Sequence, residues 1–142
     1  MITLRKFGVD DDINLLLQGI ALSSSSTLTN KNKKIFESKM KFRINDNYIY
    51  YFILNNQNII GTICLLFKND TISINDFAIF EKFQNNGFGN EVLNYIKNKY
   101  EDYNFELGVE KGNTKALHLY QKNGFKIYKE FSEGYFLHLL KE

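Results

Sequence analysis

At 142 residues the chain suits one domain, large enough to hold its own core, and its 44% hydrophobic and 24% charged residues are those of a folded globular chain. A formal net charge of +2 falls short of the clustered basic excess of a nucleic-acid binder, so no nucleic-acid partner is expected. The single Cys64 excludes an internal disulfide, no apolar run approaches the ~20 residues of a membrane helix, and Met1 to Lys6 lacks an apolar signal core. The expectation is a cytoplasmic single domain over residues 1–142, without membrane contact.

In chain order, Ile2 to Phe7 alternates imperfectly and reads as a first strand. Asp10, Asp11 and Asp12 then supply a cap and favourable charge for a helix carrying Ile13, Leu16, Leu17 and Ile20 on one face. Ser23 to Ser26, with Thr27 and Thr29, reads as a loop. A second helix is predicted over Lys31 to Ile44, with Ile35, Phe36 and Met40 as its apolar contacts. Its Lys31, Lys33, Lys34, Lys39, Lys41 and Arg43 read either as a solvated face or as a surface that steers an acidic acceptor.

From Tyr48 the texture becomes that of strands. Tyr48 to Leu54, Ile59 to Phe67 and Thr71 to Phe80 are rich in aromatic and β-branched residues, separated by the turn clusters Asn55 to Asn58 and Lys68 to Asp70. Gly87 to Tyr100 returns to helical spacing, with Phe88, Val92, Ile96 and Tyr100 four apart. Tyr103 to Val109 reads as a strand, and Asn113 to Asn123 as a helix stopped by Gly124. Phe125 to Phe131 and Tyr135 to Leu140 complete a hairpin around Glu133 and Gly134. The order is β-αα-βββ-α-β-α-ββ, an α/β (α+β) class, with no repeat and no linker.

Chemistry concentrates in Gln84-Asn85-Asn86-Gly87-Phe88-Gly89, between a strand and an amphipathic helix. A helix start leaves backbone N–H groups unpartnered at the positive end of the dipole, and glycine lets the backbone approach a ligand closely. Phosphate groups fit such a place. The segment is neither a dinucleotide fingerprint nor a P-loop, because the third glycine and the Gly-Lys-Ser/Thr are missing.

Downstream stands Asn113-Thr114-Lys115-Ala116-Leu117-His118-Leu119-Tyr120-Gln121-Lys122-Asn123-Gly124-Phe125. With these two segments the chain resembles the GCN5-related N-acetyltransferase superfamily. That superfamily pairs a Gln/Arg-x-x-Gly-x-Gly/Ala loop with a later Asn-x-x-Ala-x-x-Leu-Tyr-x-x-x-Gly-Phe. The resemblance covers residues 72–131 by motif and nearly the whole chain by element order. It implies a single domain with a mixed, mostly antiparallel sheet of about seven strands flanked by four helices.

The resemblance further implies acetyl-CoA as cosubstrate and transfer of its acetyl group to a primary amine by direct attack in a ternary complex. The amine would be a small molecule, a polyamine, an antibiotic or a peptide N-terminus. Backbone amides of Asn86, Gly87, Phe88 and Gly89, with Gln84, Asn85 and Asn90 alongside, would hold the pyrophosphate. Ala78 and Ile79 would pair with the pantetheine arm, and the Ile79 N–H would polarise the thioester carbonyl. Asn113 would fix the pantetheine end, and Tyr120 would protonate the leaving thiolate. Ser73, Asn75 and Gly108 stand where relatives carry a basic Glu, which leaves Asp76, Glu110 or water to take the amine's proton. Asp76 occurs at this point in relatives acting on polyamines, and reads equally as a structural hydrogen-bonding residue. A catalytically degenerate acyl-CoA-binding module or regulator is the alternative, and a homodimer through the later strands is a further expectation. His118 and His138 are too few and too far apart for a metal site, and Cys64 reads as a buried small hydrophobe.

Overall fold

The computed structural model describes all 142 residues. Alternating apolar residues give β1 (Ile2–Lys6), β2 (Ile49–Asn55), β3 (Asn58–Lys68), β4 (Thr71–Ile79), β5 (Asn104–Glu110), β6 (Lys126–Phe131) and β7 (Gly134–Leu139). The helices are α1 (Ile13–Ser23), α2 (Lys33–Asn45), α3 (Phe88–Lys99) and α4 (Thr114–Lys122), with one 3-10 turn at Glu81–Phe83. The element order is the one expected, with ends displaced by one or two residues.

All seven strands join one sheet in the order β1-β2-β3-β4-β5-β7-β6. Every pairing is antiparallel except β4 with β5, which is parallel and confined to Thr71–Ser73 against Asn104–Glu106. Beyond Ser73 the two strands separate.

The sheet divides two cores, as period-two alternation requires. Tyr50, Phe52 and Cys64 pack with Leu16, Leu17 and Ile20 of α1 and Met40 of α2. On the opposite face Ile53, Ile63, Leu65 and Ile72 pack with Val92, Leu93 and Ile96 of α3 and with Tyr120 of α4. Leu16, Leu17 and Ile20 are fully buried, and burial of each such side chain contributes about 1.5–3 kcal/mol. Ile35, expected to face inward from α2, is exposed instead, while Met40 carries the helix's buried contact.

Local chemistry starts and stops the helices that border the site. The Asp12 carboxylate accepts from the Asn14 N–H at 2.9 Å and caps α1. Neighbouring Asp11 is spent differently, accepting from Arg5 at 2.8 Å and from the Gly8 N–H at 2.7 Å. At the far end of α4 the Phe125 N–H reaches the Tyr120 carbonyl at 3.0 Å and the Gly124 N–H reaches Gln121 at 3.1 Å. Gly124 has φ +94, which makes this the left-handed closure expected of a glycine there.

Candidate active site

The centre of the molecule is an irregularity in β4. Its pairing with β3 shifts register between Thr62 and Cys64, so that Asp76 and Phe77 bulge out of the ladder. Asp76 has a left-handed backbone, φ +48, a conformation aspartate tolerates better than most residues. The bulge coincides with the splay of β4 from β5, so the edge of β4 near Ala78 and Ile79 lacks a strand neighbour on that side. Helix α1 lies close beneath it. A Cβ at Gly19 would collide with the Thr62 side chain, and the Thr62 hydroxyl donates to the Asp76 carbonyl at 3.4 Å. Glycine at 19 therefore sets how near α1 comes to the bulge.

Just beyond β4, Gln84 donates from its side-chain amide to the Ile79 carbonyl at 2.8 Å and ties the loop back to the strand. Asn85 and Gly87 both have positive φ, +64 and +78. A Cβ at Gly87 would meet nothing within 4 Å, so glycine serves the backbone geometry there rather than packing. Gly89 differs, since a Cβ there would stand 3.0 Å from the Leu119 side chain and crowd α3 against α4's Leu119. No acceptor is bonded to the amides of Asn85 through Asn90. A row of free N–H groups thus opens α3, at the positive end of its dipole. Lys115 of α4 reaches over this loop and donates to the Asn85 side-chain oxygen at 3.2 Å.

Two cavities flank the splay. The first, about 390 Å³, is lined by Ala78, Ile79, Gln84, Asn85, Gly87, Phe88, Gly89, Asn90, Asn113 and Tyr120, with Lys115 among the rest. It brings together every residue expected to hold the cosubstrate except Asn86, whose side chain instead donates to the Phe83 and Gln84 carbonyls at 3.2 and 3.1 Å. Asn113 has its side-chain oxygen engaged as the cap of α4, accepting from the Ala116 N–H at 3.2 Å. The second cavity, about 360 Å³, is lined by Lys39, Arg43, Asn75, Asp76, Glu110 and Phe136, together with Ser23 to Ser25. Tyr120, Asn113, Ala116, Phe77, Ser23 and Ser25 line both. Tyr120 therefore stands at the junction.

The Tyr120 ring is held edge-on to Phe125, with centroids 5.6 Å apart. Burial pushes its phenol well above the ordinary tyrosine range, so it keeps its proton at neutral pH.

Asp76 lies on the other side, in the second cavity, with a side chain only 5% exposed. One carboxylate oxygen accepts from Arg43 at 2.6 Å and from the Tyr50 hydroxyl at 2.8 Å. The other is 3.2 Å from the Lys39 ammonium and accepts from the Ser23 hydroxyl at 3.4 Å. Burial pulls the Arg43 guanidinium down, but the neighbouring Asp76 charge holds it above its ordinary value. Burial, followed by the same Asp76 charge, drives the Tyr50 phenol far up. Lys39 and Arg43 are thus more than a solvated face of α2. Their four-residue spacing does place them on one helix face, but nothing in the sequence couples that face to a residue 33 positions away. Glu110, at the end of β5 across the splay, is exposed and has no side-chain partner. Cys64 is buried and its thiol is pushed up to about 12, mainly by burial.

A model described as the acetyltransferase (GNAT) family matches residues 20–125. Acetyltransferase PseH of Campylobacter jejuni subsp. jejuni serotype O:2 is 34% identical over 120 residues, covering 75% of this chain and 73% of that protein. PseH of serotype O:23/36 is 33% identical over 90 residues, covering 61% of this chain and only 56% of that relative. Among solved structures, Campylobacter jejuni N-acetyltransferase PseH in complex with acetyl coenzyme A superposes with a TM-score of 0.70 at 22% identity, over 100% of both chains. Spermidine N-acetyltransferase of Vibrio cholerae, in complex with CoA and spermine, gives 0.71 at 21% identity, over 99% of this chain and 95% of that one. At such identities the likeness shows the fold.

Proposed function

Since the chain belongs to the acetyltransferase (GNAT) family, we propose that it transfers the acetyl group of acetyl-CoA to a primary amine by direct attack within a ternary complex. The observation that carries this reading is the meeting of two cavities at Tyr120. The first is proposed to take the coenzyme. Its diphosphate rests on the free amides of Asn85 to Asn90, and Lys115 adds a cation beside them. The pantetheine arm lies along the open edge of β4 at Ala78 and Ile79, as an added strand would, and the Ile79 N–H meets the thioester oxygen. Asn113 contributes through the part of its amide that does not cap α4.

The amine enters through the second cavity. Its nitrogen lone pair forms the new C–N bond to the thioester carbon, and the C–S bond breaks with its electron pair leaving on sulfur. Tyr120, kept protonated by burial, gives its proton to that thiolate and recovers one from solvent. Holding both reactants at the junction supplies much of the rate.

The amine's own proton is assigned to Glu110, directly or through water. That carboxylate lines the cavity without a partner. Asp76 is the weaker candidate for this step, because both of its oxygens already accept from donors, and its part is proposed to be structural support for the acceptor wall. A cytoplasmic setting belongs to the same proposal, supported by the lone buried thiol, and no helix is long and apolar enough to cross a membrane. A homodimer through the later strands is likewise proposed, supported by the exposed Ile127 and Tyr128 on edge strand β6. Sedimentation at a single-chain mass would refute it.

The test of the chemistry is Tyr120→Phe. Acetyl transfer should fall by a factor of about 10²–10⁴ while acetyl-CoA affinity is kept, since the hydroxyl acts only on the departing sulfur. Turnover at the wild-type rate would overturn the assignment.

A further inference from the structure

The second cavity is charged unevenly, and the unevenness concerns which amines it admits. On the α2 side, Lys39 and Arg43 both stand on the single carboxylate of Asp76. Two cations share one anion, which leaves that wall with one positive charge in excess. All three line the cavity, but the Lys39 side chain is 35% exposed and that of Arg43 23%, whereas Asp76 is 5% exposed, so the cations are the more accessible charges of this wall. Across the splay, on β5, the partnerless Glu110 is the one carboxylate in the cavity open to an incoming cation. The remaining polar lining, Ser23 to Ser25, Asn75 and Asn113, is neutral.

We propose that Lys39 and Arg43 select an acceptor with a single ammonium group, whose remaining body is neutral or anionic, and that they turn away polycationic amines. The inference rests on the reading of the second cavity as the acceptor site. The ammonium that attacks once it has lost a proton is drawn toward Glu110 and Tyr120. The tail of the acceptor then extends toward α2, where a second ammonium meets like charge and a carboxylate or phosphate meets opposite charge. An aspartate at this point of β4 would by itself suggest a polyamine site, and one fold neighbour is a spermidine N-acetyltransferase. Here that aspartate is already neutralised from within the chain.

Three amines with the same four-carbon chain test this: putrescine, n-butylamine and 4-aminobutanoate. They differ only in what stands at the far end. A misplaced unit charge in a partly buried site changes kcat/KM by about tenfold. The expected order is therefore putrescine lowest by about that factor, with 4-aminobutanoate at or above butylamine, and a gap that narrows in high salt. Where turnover is too slow to follow, the dissociation constants of the three amines from the CoA-bound protein should run in the same order.

Lys39→Gln cancels the excess charge without burying an unpaired group, and should bring putrescine to within about twofold of butylamine. Putrescine equal to or better than butylamine in the wild-type protein would overturn the proposal, as would an unchanged ratio in Lys39→Gln. Calorimetric binding of acetyl-CoA is measured on the same samples. Its absence would bring down the underlying reading of the site, whereas intact binding with the wrong order of amines brings down only this inference.

Discussion

Replacing Asp76 by Asn separates a structural role from a catalytic one, because the two make opposite predictions. The substitution keeps volume and removes one charge. Lys39 and Arg43 lose their shared counter-ion, and the new NH₂ must point at a cation or at the Tyr50 hydroxyl, which are donors already. Breaking a buried ion pair from one side costs about 3–5 kcal/mol. The 35% and 23% exposure of the two cations lets water recover part of this, and the surviving Asn oxygen can still accept from Tyr50. We expect a loss of about 2–3 kcal/mol, or roughly 6–9 °C in Tm for a domain of this size, read from urea denaturation and thermal melts. The pH dependence of kcat should keep its acidic limb if the amine's proton goes to Glu110, as proposed. The reasoning is refuted if stability changes by less than about 0.5 kcal/mol or if that limb disappears while stability holds, which would identify Asp76 as the base.

Further outcomes follow from other parts of the molecule. Gly87→Ala forces a side chain into a φ of +78 with no steric neighbour; it should cost about 1–2 kcal/mol in a denaturant melt and weaken acetyl-CoA binding by calorimetry. Gly19→Ala drives a methyl into Thr62 and should cost about 1–3 kcal/mol, with a lowered kcat as α1 is pushed off the bulge. The Cys64 thiol, pushed up to about 12 in the folded chain, should ignore a thiol reagent at pH 8 until the protein unfolds. Its folded-state value lies above its unfolded one, so the stability it contributes is fully present below the unfolded thiol's range near 8.5. That contribution is lost as pH rises toward 12. A pH series of melts with Cys64→Ala as control checks the sign.

The fold was legible because its signals are local. The period-two runs of β2 to β4, the four-residue stripe of α3, the Asp12 cap and the Gly124 stop each act within a few residues, and the structure has the same elements in the same order. The row of free amides was legible for a related reason: it follows from a helix beginning after Gly87, wherever the rest of the chain goes. The surroundings of Asp76 were not. They are assembled from α1, α2, β2 and β4, and the lysines and arginine of α2 carry no mark in the sequence that separates solvated charges from those turned onto a bulge. Lys115 was missed for the same reason, since its reach to Asn85 crosses from α4 to the loop before α3. The exposure of Ile35 was equally hidden, because an apolar residue at helical spacing does not say whether anything covers it.

The claim on which everything else depends is that the amides opening α3 hold the diphosphate of acetyl-CoA with its thioester directed to Tyr120. A crystal structure of the chain soaked with coenzyme A tests it directly. The account predicts phosphate oxygens within hydrogen-bonding distance of the Gly87 and Gly89 N–H groups and the sulfur beside the Tyr120 hydroxyl. A coenzyme lodged elsewhere, or a loop left empty at saturating ligand, would contradict it.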